Sequence, residues 1–379
     1  MIEYLPLKRI TAMYADEIHE AVSRVVDSGW YLRGEVTARF EEHYANYIGT
    51  RHCVGVANGL DALTLILRAY KELGRLHDGD EIVVPANTYI ATILSITENR
   101  LVPVLVEPRL DTFQIDDRLI EQAITPKTRA LMLVHLYGRC AYTDNIADLC
   151  QKHHLLLIED NAQAHGCIAP SAVSVPSVGY AAAIPQPRTG SLGHAAAHSF
   201  YPSKNVGALG DAGAVTTDDA DLAETVRALA NYGSAEKYVF DYIGRNSRLD
   251  EIQAAILDVK LSHLDDDNRC RREIAAYYIN NVDCCSVTLP ALSESVWHVF
   301  PVLSPRRDEL QQYLAEGGIQ TAVHYPIPPH RQQCYAAWNR LSFPVTEQIH
   351  QQELSLPCHP AMMQEEIDRV VTLLNAFGR

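Results

Sequence analysis

The sequence contains no CxxC pair, no apolar run of bilayer length and no excess of positive charge. Each absence removes a class of function. The nine cysteines are scattered, and only Cys284 and Cys285 are adjacent. An odd count without metal-ligand spacing reads as reduced thiols rather than a disulfide framework. The N-terminus, Met1 to Leu7, carries an early acid at Glu3 and no signal-like apolar core. The expectation is therefore a cytoplasmic protein with no membrane partner. Acids outnumber bases 47 to 32, a formal net charge of −15, which disfavours nucleic acid as a partner. So acidic a chain exerts no long-range pull on an anionic substrate, and any phosphate site has to be built locally. There is no HExxH or similar ligand spacing, so no metal is expected. Nor does a GxGxxG follow a first strand. Gly207, Gly210 and Gly213 have the wrong spacing and lie mid-chain, which disfavours a nicotinamide-dependent nucleotide-sugar oxidoreductase.

What is present fits a large soluble α/β protein. A chain of 379 residues, 47% hydrophobic, can bury a big core, and two domains are expected, residues 1–245 and 246–379. Buried runs occur at 53–57, 81–84, 102–106, 130–136, 155–158, 195–200 and 214–217. Helix-length segments lie between most of them, near 60–74, 88–99, 116–124 and 143–154. That alternation predicts a mainly parallel sheet with helices on both faces. Further helices are expected at 14–27, 218–231 and 249–264, and from about 265 a smaller α/β domain of helices and short strands.

Two stretches carry chemistry. In His198-Ser199-Phe200-Tyr201-Pro202-Ser203-Lys204-Asn205-Val206-Gly207 a buried strand breaks at proline, and Lys204 sits on a turn closed by glycine. Lysine amines form Schiff bases with carbonyls, although a loop lysine is ordinarily solvated charge. In Leu155-Leu156-Leu157-Ile158-Glu159-Asp160-Asn161-Ala162-Gln163 a second buried strand ends in acids. Ligands of α/β sheets gather at strand carboxyl ends, so Asp160 suits a charged ring nitrogen, with Gln163 beside it. A helix-capping Asp is the plain alternative. After the first strand, Asn58 caps a helix and Gly59 leaves its first amides open, an end that suits a phosphate as well as it suits an ordinary cap.

The segments Glu159 to Gly166 and Ser199 to Asp211 resemble the pyridoxal phosphate-dependent nucleotide-sugar aminotransferases, and the likeness extends from about residue 3 to 377. Within that family Ala86 to Thr92, Val106-Glu107-Pro108 and Val134 to Gly138 resemble the branch that aminates dTDP-linked 3-keto-6-deoxyhexoses. The resemblance implies a fold type I aminotransferase with a seven-stranded mixed sheet and a smaller C-terminal α/β domain. Pyridoxal 5′-phosphate would be held on Lys204, with Asp160 at its ring nitrogen, Gln163 and Tyr89 at its ring, and Asn58, Gly59 and Ser199 at its phosphate. Asn246 would reach the phosphate site of a neighbouring chain, which makes a homodimer the expected partner state. Tyr31, Tyr201, His324 and Tyr325 would face the sugar, and L-glutamate and a dTDP-ketosugar would be the substrates. The acceptor carbon is expected to be C3, with a C4 aminotransferase on a 4-keto-6-deoxyhexose as the alternative. A sugar dehydratase of the same family would carry histidine where this chain has Lys204. The product would serve deoxyamino sugar synthesis for an O-antigen or other surface polysaccharide. One departure stands out: the stretch 168–190, with Pro170, Pro176, Pro185 and Pro187, replaces a short turn and is expected to be a flexible loop beside the site mouth.

Overall fold

The computed structural model describes residues 1–170 and 186–378. Most of the proline-rich stretch thus lies outside the described residues. Its two ends meet, with an isolated bridge joining Ile168 to Arg188.

Seven short apolar runs form one sheet: β1 (His52–Val56), β2 (Glu81–Pro85), β3 (Val102–Val106), β4 (Thr128–Val134), β5 (Leu156–Asp160), β6 (Ala195–Ser199) and β7 (Gly213–Thr217). The order across the sheet is β1-β7-β6-β5-β4-β2-β3, and only β7 runs against the rest. Central strands buried on both faces need continuous apolar runs, which is why β4 and β7 read as blocks rather than alternations. Because the strands other than β7 point one way, the residues after β1, β2, β4, β5 and β6 share one carboxyl edge. That geometry alone gathers Asn58, Tyr89, His135, Asp160 and Ser199 on the same side of the sheet.

A smaller antiparallel pair, β8 (Phe300–Leu303) and β9 (Glu353–Leu356), lies in the C-terminal part. Ala322 bridges to Ser355, which lays the segment carrying His324 beside β9. A helix of 31 residues, Glu251–Asn281, connects the two regions. Its Leu257, Leu261 and Leu264 enter a core with Phe40, Tyr44 and Phe200, and its Ile274, Ala275 and Tyr278 enter a second core with Phe300, Leu354 and Leu356. The sequence pattern ends this helix near 264; it runs on because the polar residues that follow are buried and bonded. Tyr14 Oη donates to Asp267 Oδ1 (2.6 Å), Asn268 Nδ2 to the His165 carbonyl (2.9 Å), and Arg271 to the Cys358 carbonyl (2.5 Å). Among the described residues, no helix is long and apolar enough to cross a membrane.

Candidate active site

Lys204 lies in the turn that follows β6. Its amide donates to the Tyr201 carbonyl (2.8 Å), and the Ala208 amide returns to Phe200 (2.8 Å). The turn is tight enough that a Cβ on Gly207 would lie 2.4 Å from the Pro202 carbonyl oxygen, so only glycine fits. The Lys204 amine makes no hydrogen bond or ion pair among the described residues. Burial lowers its pKa to about 8, and the negative charge of Asp160 partly opposes that shift.

Asp160 ends β5 and is 6% exposed. Its carboxylate accepts from Thr92 Oγ1 (2.8 Å) and the Ala162 amide (3.1 Å), with no cation in bonding contact among the described residues. Burial raises its pKa, while those two hydrogen bonds and then the charges of Lys204 and His135 pull the other way. A buried carboxylate supplied with donors but no directly bonded cation is the group a protonated ring nitrogen needs.

The phosphate end is built from the first strand. Asn58 Oδ1 accepts from the Asp61 amide (2.8 Å) and caps the helix Gly59–Glu72. That helix end is pressed against β6: a Cβ on Gly59 would come within 2.5 Å of Ser199 Cβ. The arrangement puts the positive end of a helix, its open amides and the Ser199 hydroxyl in one place, as an anionic phosphate requires. Pyridoxal 5′-phosphate therefore fits the residues present, with an anion cradle at one end and a buried acid at the other.

The far wall comes from the smaller region. Gln163 Oε1 accepts from the Tyr137 amide (2.6 Å), and its Nε2 donates to Tyr325 Oη (2.9 Å). The Tyr325 ring lies 4.9 Å from that of Tyr89, tilted by 38°. Tyr137 takes a left-handed backbone (φ 61°), and its hydroxyl donates to the His324 carbonyl. Two hydrogen bonds from the carboxyl edge of the sheet thus fix residues 324 and 325. Burial first, and the charge of Lys204 second, lower the His324 pKa to about 4, so the ring is neutral. His330, further along the same proline-rich segment as His324, is buried, with Nε2 3.0 Å from Glu347 Oε1.

Lys204, Asp160, Gln163, Tyr89, Tyr325 and His324 are thus linked by contacts or by charge, and Ser199 packs against Gly59. Tyr201 is half exposed at the rim, on the Lys204 turn itself. Tyr31 and Asn246 are not joined to Lys204 or Asp160 by any contact among the described residues. Both are exposed; the Tyr31 carbonyl accepts from the Glu251 amide (3.0 Å), and Asn246 bridges to Asn231. Sequence reasoning missed Thr92, Tyr137, Glu353 and Ser355. Thr92 had a signal, since it lies one helical turn after Thr88, which it contacts at 2.7 Å.

Comparison with known proteins bears on this geometry. Residues 13–375 match the model of the DegT/DnrJ/EryC1/StrS aminotransferase family. The chain is 50% identical to a dTDP-3-amino-3,6-dideoxy-alpha-D-galactopyranose transaminase of Aneurinibacillus thermoaerophilus, over 100% of both chains. It is 43% identical to a dTDP-3-amino-3,4,6-trideoxy-alpha-D-glucose transaminase of Streptomyces venezuelae, over 100% of this chain and 96% of the relative. Among solved structures, S. venezuelae DesV in complex with a ketimine intermediate superposes with a TM-score of 0.92 at 41% identity, over 100% and 99% of the two chains. Bacillus subtilis NtdA with bound cofactor PMP gives 0.87 at 31% identity, over 98% and 83%. The chain belongs to the DegT/DnrJ/EryC1/StrS aminotransferase family and is a pyridoxal phosphate-dependent transaminase of nucleotide sugars.

Proposed function

We propose that the protein moves the amino group of L-glutamate to C3 of a dTDP-3-keto-6-deoxyhexose. The observation that carries this is the convergence of Lys204 and Asp160, far apart in the chain, at one edge of the sheet. The two 3-amino-sugar transaminases at 50% and 43% identity support the C3 assignment.

In this reading the helix end at Gly59, with Asn58 and the Ser199 hydroxyl, binds the cofactor phosphate. Asp160 sits at the ring nitrogen, Thr92 holds that carboxylate in place, and Tyr89 and Gln163 line the ring. When bound, pyridoxal phosphate supplies a protonated heterocycle that draws electron density from the carbon losing its proton. Lys204 Nζ would take that proton and return it to the carbon on the other side of the transferred nitrogen. An amine with a pKa of about 8 does both near neutral pH, where an ordinary lysine stays charged. Tyr31, Tyr201, His324 and Tyr325 contact the sugar.

The working unit is a cytoplasmic homodimer in which Asn246 serves the partner's phosphate site. In support, Trp30, Tyr31, Tyr238, Phe240 and Ile243 are between 50% and 87% exposed, more apolar surface than a monomer ordinarily leaves bare. The product feeds deoxyamino sugar synthesis for a surface polysaccharide. The experiment is glutamate consumption against a panel of dTDP-ketosugars, with the amine located by NMR of the product. The 3-ketosugar is the expected substrate; amination at C4 of a 4-ketosugar alone would overturn the C3 assignment.

A further inference from the structure

Behind His324 stands a buried assembly that the transamination chemistry does not use. The His324 amide donates to Glu353 Oε2 (2.6 Å), and His324 Nδ1 lies 2.7 Å from Ser355 Oγ. Ser355 Oγ is in turn in hydrogen-bond contact with the other carboxyl oxygen, Glu353 Oε1. Glu353 and Ser355, both on β9, are 0% exposed. With its carbonyl held by Tyr137, His324 is fixed at every polar atom except Nε2, which has no bond among the described residues.

The protonation of this assembly follows from its surroundings. The phenols of Tyr4, Tyr137 and Tyr325 lie near Glu353, and so does Arg307. The Arg307 guanidinium, however, donates to the Glu353 backbone carbonyl (3.3 Å), and no ion pair reaches the carboxyl among the described residues. A carboxyl group in a dry site without a cation keeps its proton. Burial raises Glu353 to about 8, against the hydrogen bonds from Ser355 and the His324 amide. The proton has one place to go. Oε2 faces an N–H donor, whereas Oε1 faces a hydroxyl, which can accept as well as donate. Ser355, once it accepts from Glu353, has its own proton to give; the Tyr4 phenol, also hydrogen-bonded to Ser355, can itself donate, so the proton goes to His324 Nδ1.

We propose that Glu353 and Ser355 are positioning residues, a relay that keeps neutral His324 with its proton on Nε2, as a hydrogen-bond donor to an oxygen of the ketosugar. A keto oxygen only accepts, so this tautomer matches it and the other does not. The inference rests on the reading above, in which the sugar lies over His324, and names what orients that contact.

The test is long-range ¹H–¹⁵N correlation NMR of the full-length holoenzyme labelled with ¹⁵N-histidine, with the His324 signal assigned by its loss in His324→Asn. At pH 6.5 the Nε2–H tautomer is expected in the wild type and in Glu353→Gln, whose amide donates to Ser355 as the acid does. Raising the pH past 8 should move the wild type toward Nδ1–H and leave Glu353→Gln unmoved. Ser355→Ala should give a mixture and lose about tenfold in kcat/KM for the ketosugar, the size of one misdirected hydrogen bond. An Nδ1–H ring in the wild type at pH 6.5, or a switched tautomer in Glu353→Gln, overturns the relay. If the wild type fails to react with glutamate, the transamination reading falls instead, and the tautomer still decides the relay.

Discussion

Lys204 and Asp160 are expected to fail differently when changed. Lys204→Ala removes the group proposed to move the proton, so turnover should fall by roughly 10³-fold or more. The protein should still bind pyridoxal phosphate through Asp160, Ser199 and the helix end, as absorbance after gel filtration would show. Asp160→Asn keeps the shape and removes the charge, so the glutamate half-reaction should slow by roughly 10²-fold or more in stopped flow. Wild-type rates there would remove its assigned role. Glu353 gives a pH prediction. Its pKa is raised on folding from 4.5 to about 8, so between those values the folded chain holds a proton that the unfolded chain has lost. Stability from this group is complete below 4.5 and is lost as pH rises towards 8, at about 1.4 kcal/mol per unit. Thermal melts of the wild type and Glu353→Gln between pH 5 and 8 check the sign: the variant should be the flatter of the two.

At the scale of elements, the site is legible where chemistry is announced by local punctuation. Asp160 closes an apolar run, Pro202 and Gly207 bracket Lys204, and Asn58 precedes Gly59; each is a strand end or a cap readable without partners. Thr92, Tyr137, Glu353 and Ser355 are not, because packing between distant segments gives them their roles. Glu353 looks like a surface acid in Gln351-Gln352-Glu353-Leu354 until β9 turns it inward. The helix Glu251–Asn281 shows the same limit: a buried acid, amide and arginine interrupt the apolar period although the helix continues. Removing the cap at the phosphate end should be felt twice. Asn58→Ala is expected to destabilise the protein by about 1 kcal/mol in urea unfolding and to weaken cofactor retention. A variant unchanged in both would make Asn58 incidental.

At the scale of the molecule, the five-strand parallel block together with β1 delivers the groups proposed for the cofactor to one edge, and the β8–β9 region brings the groups proposed for the sugar to meet them. The division expected at 245/246 falls just before a helix that packs into both cores. The exposed apolar residues around Tyr31, Tyr238 and Phe240 predict twice the chain mass in sedimentation equilibrium; a monomer retaining full activity would contradict the shared site. Transamination in this protein would hang on a single nitrogen atom, Lys204 Nζ. Borohydride reduction of the yellow holoenzyme, followed by digestion and peptide mass mapping, should find the pyridoxyl group on Lys204 alone. A label on another lysine, or no covalent label, would contradict the account.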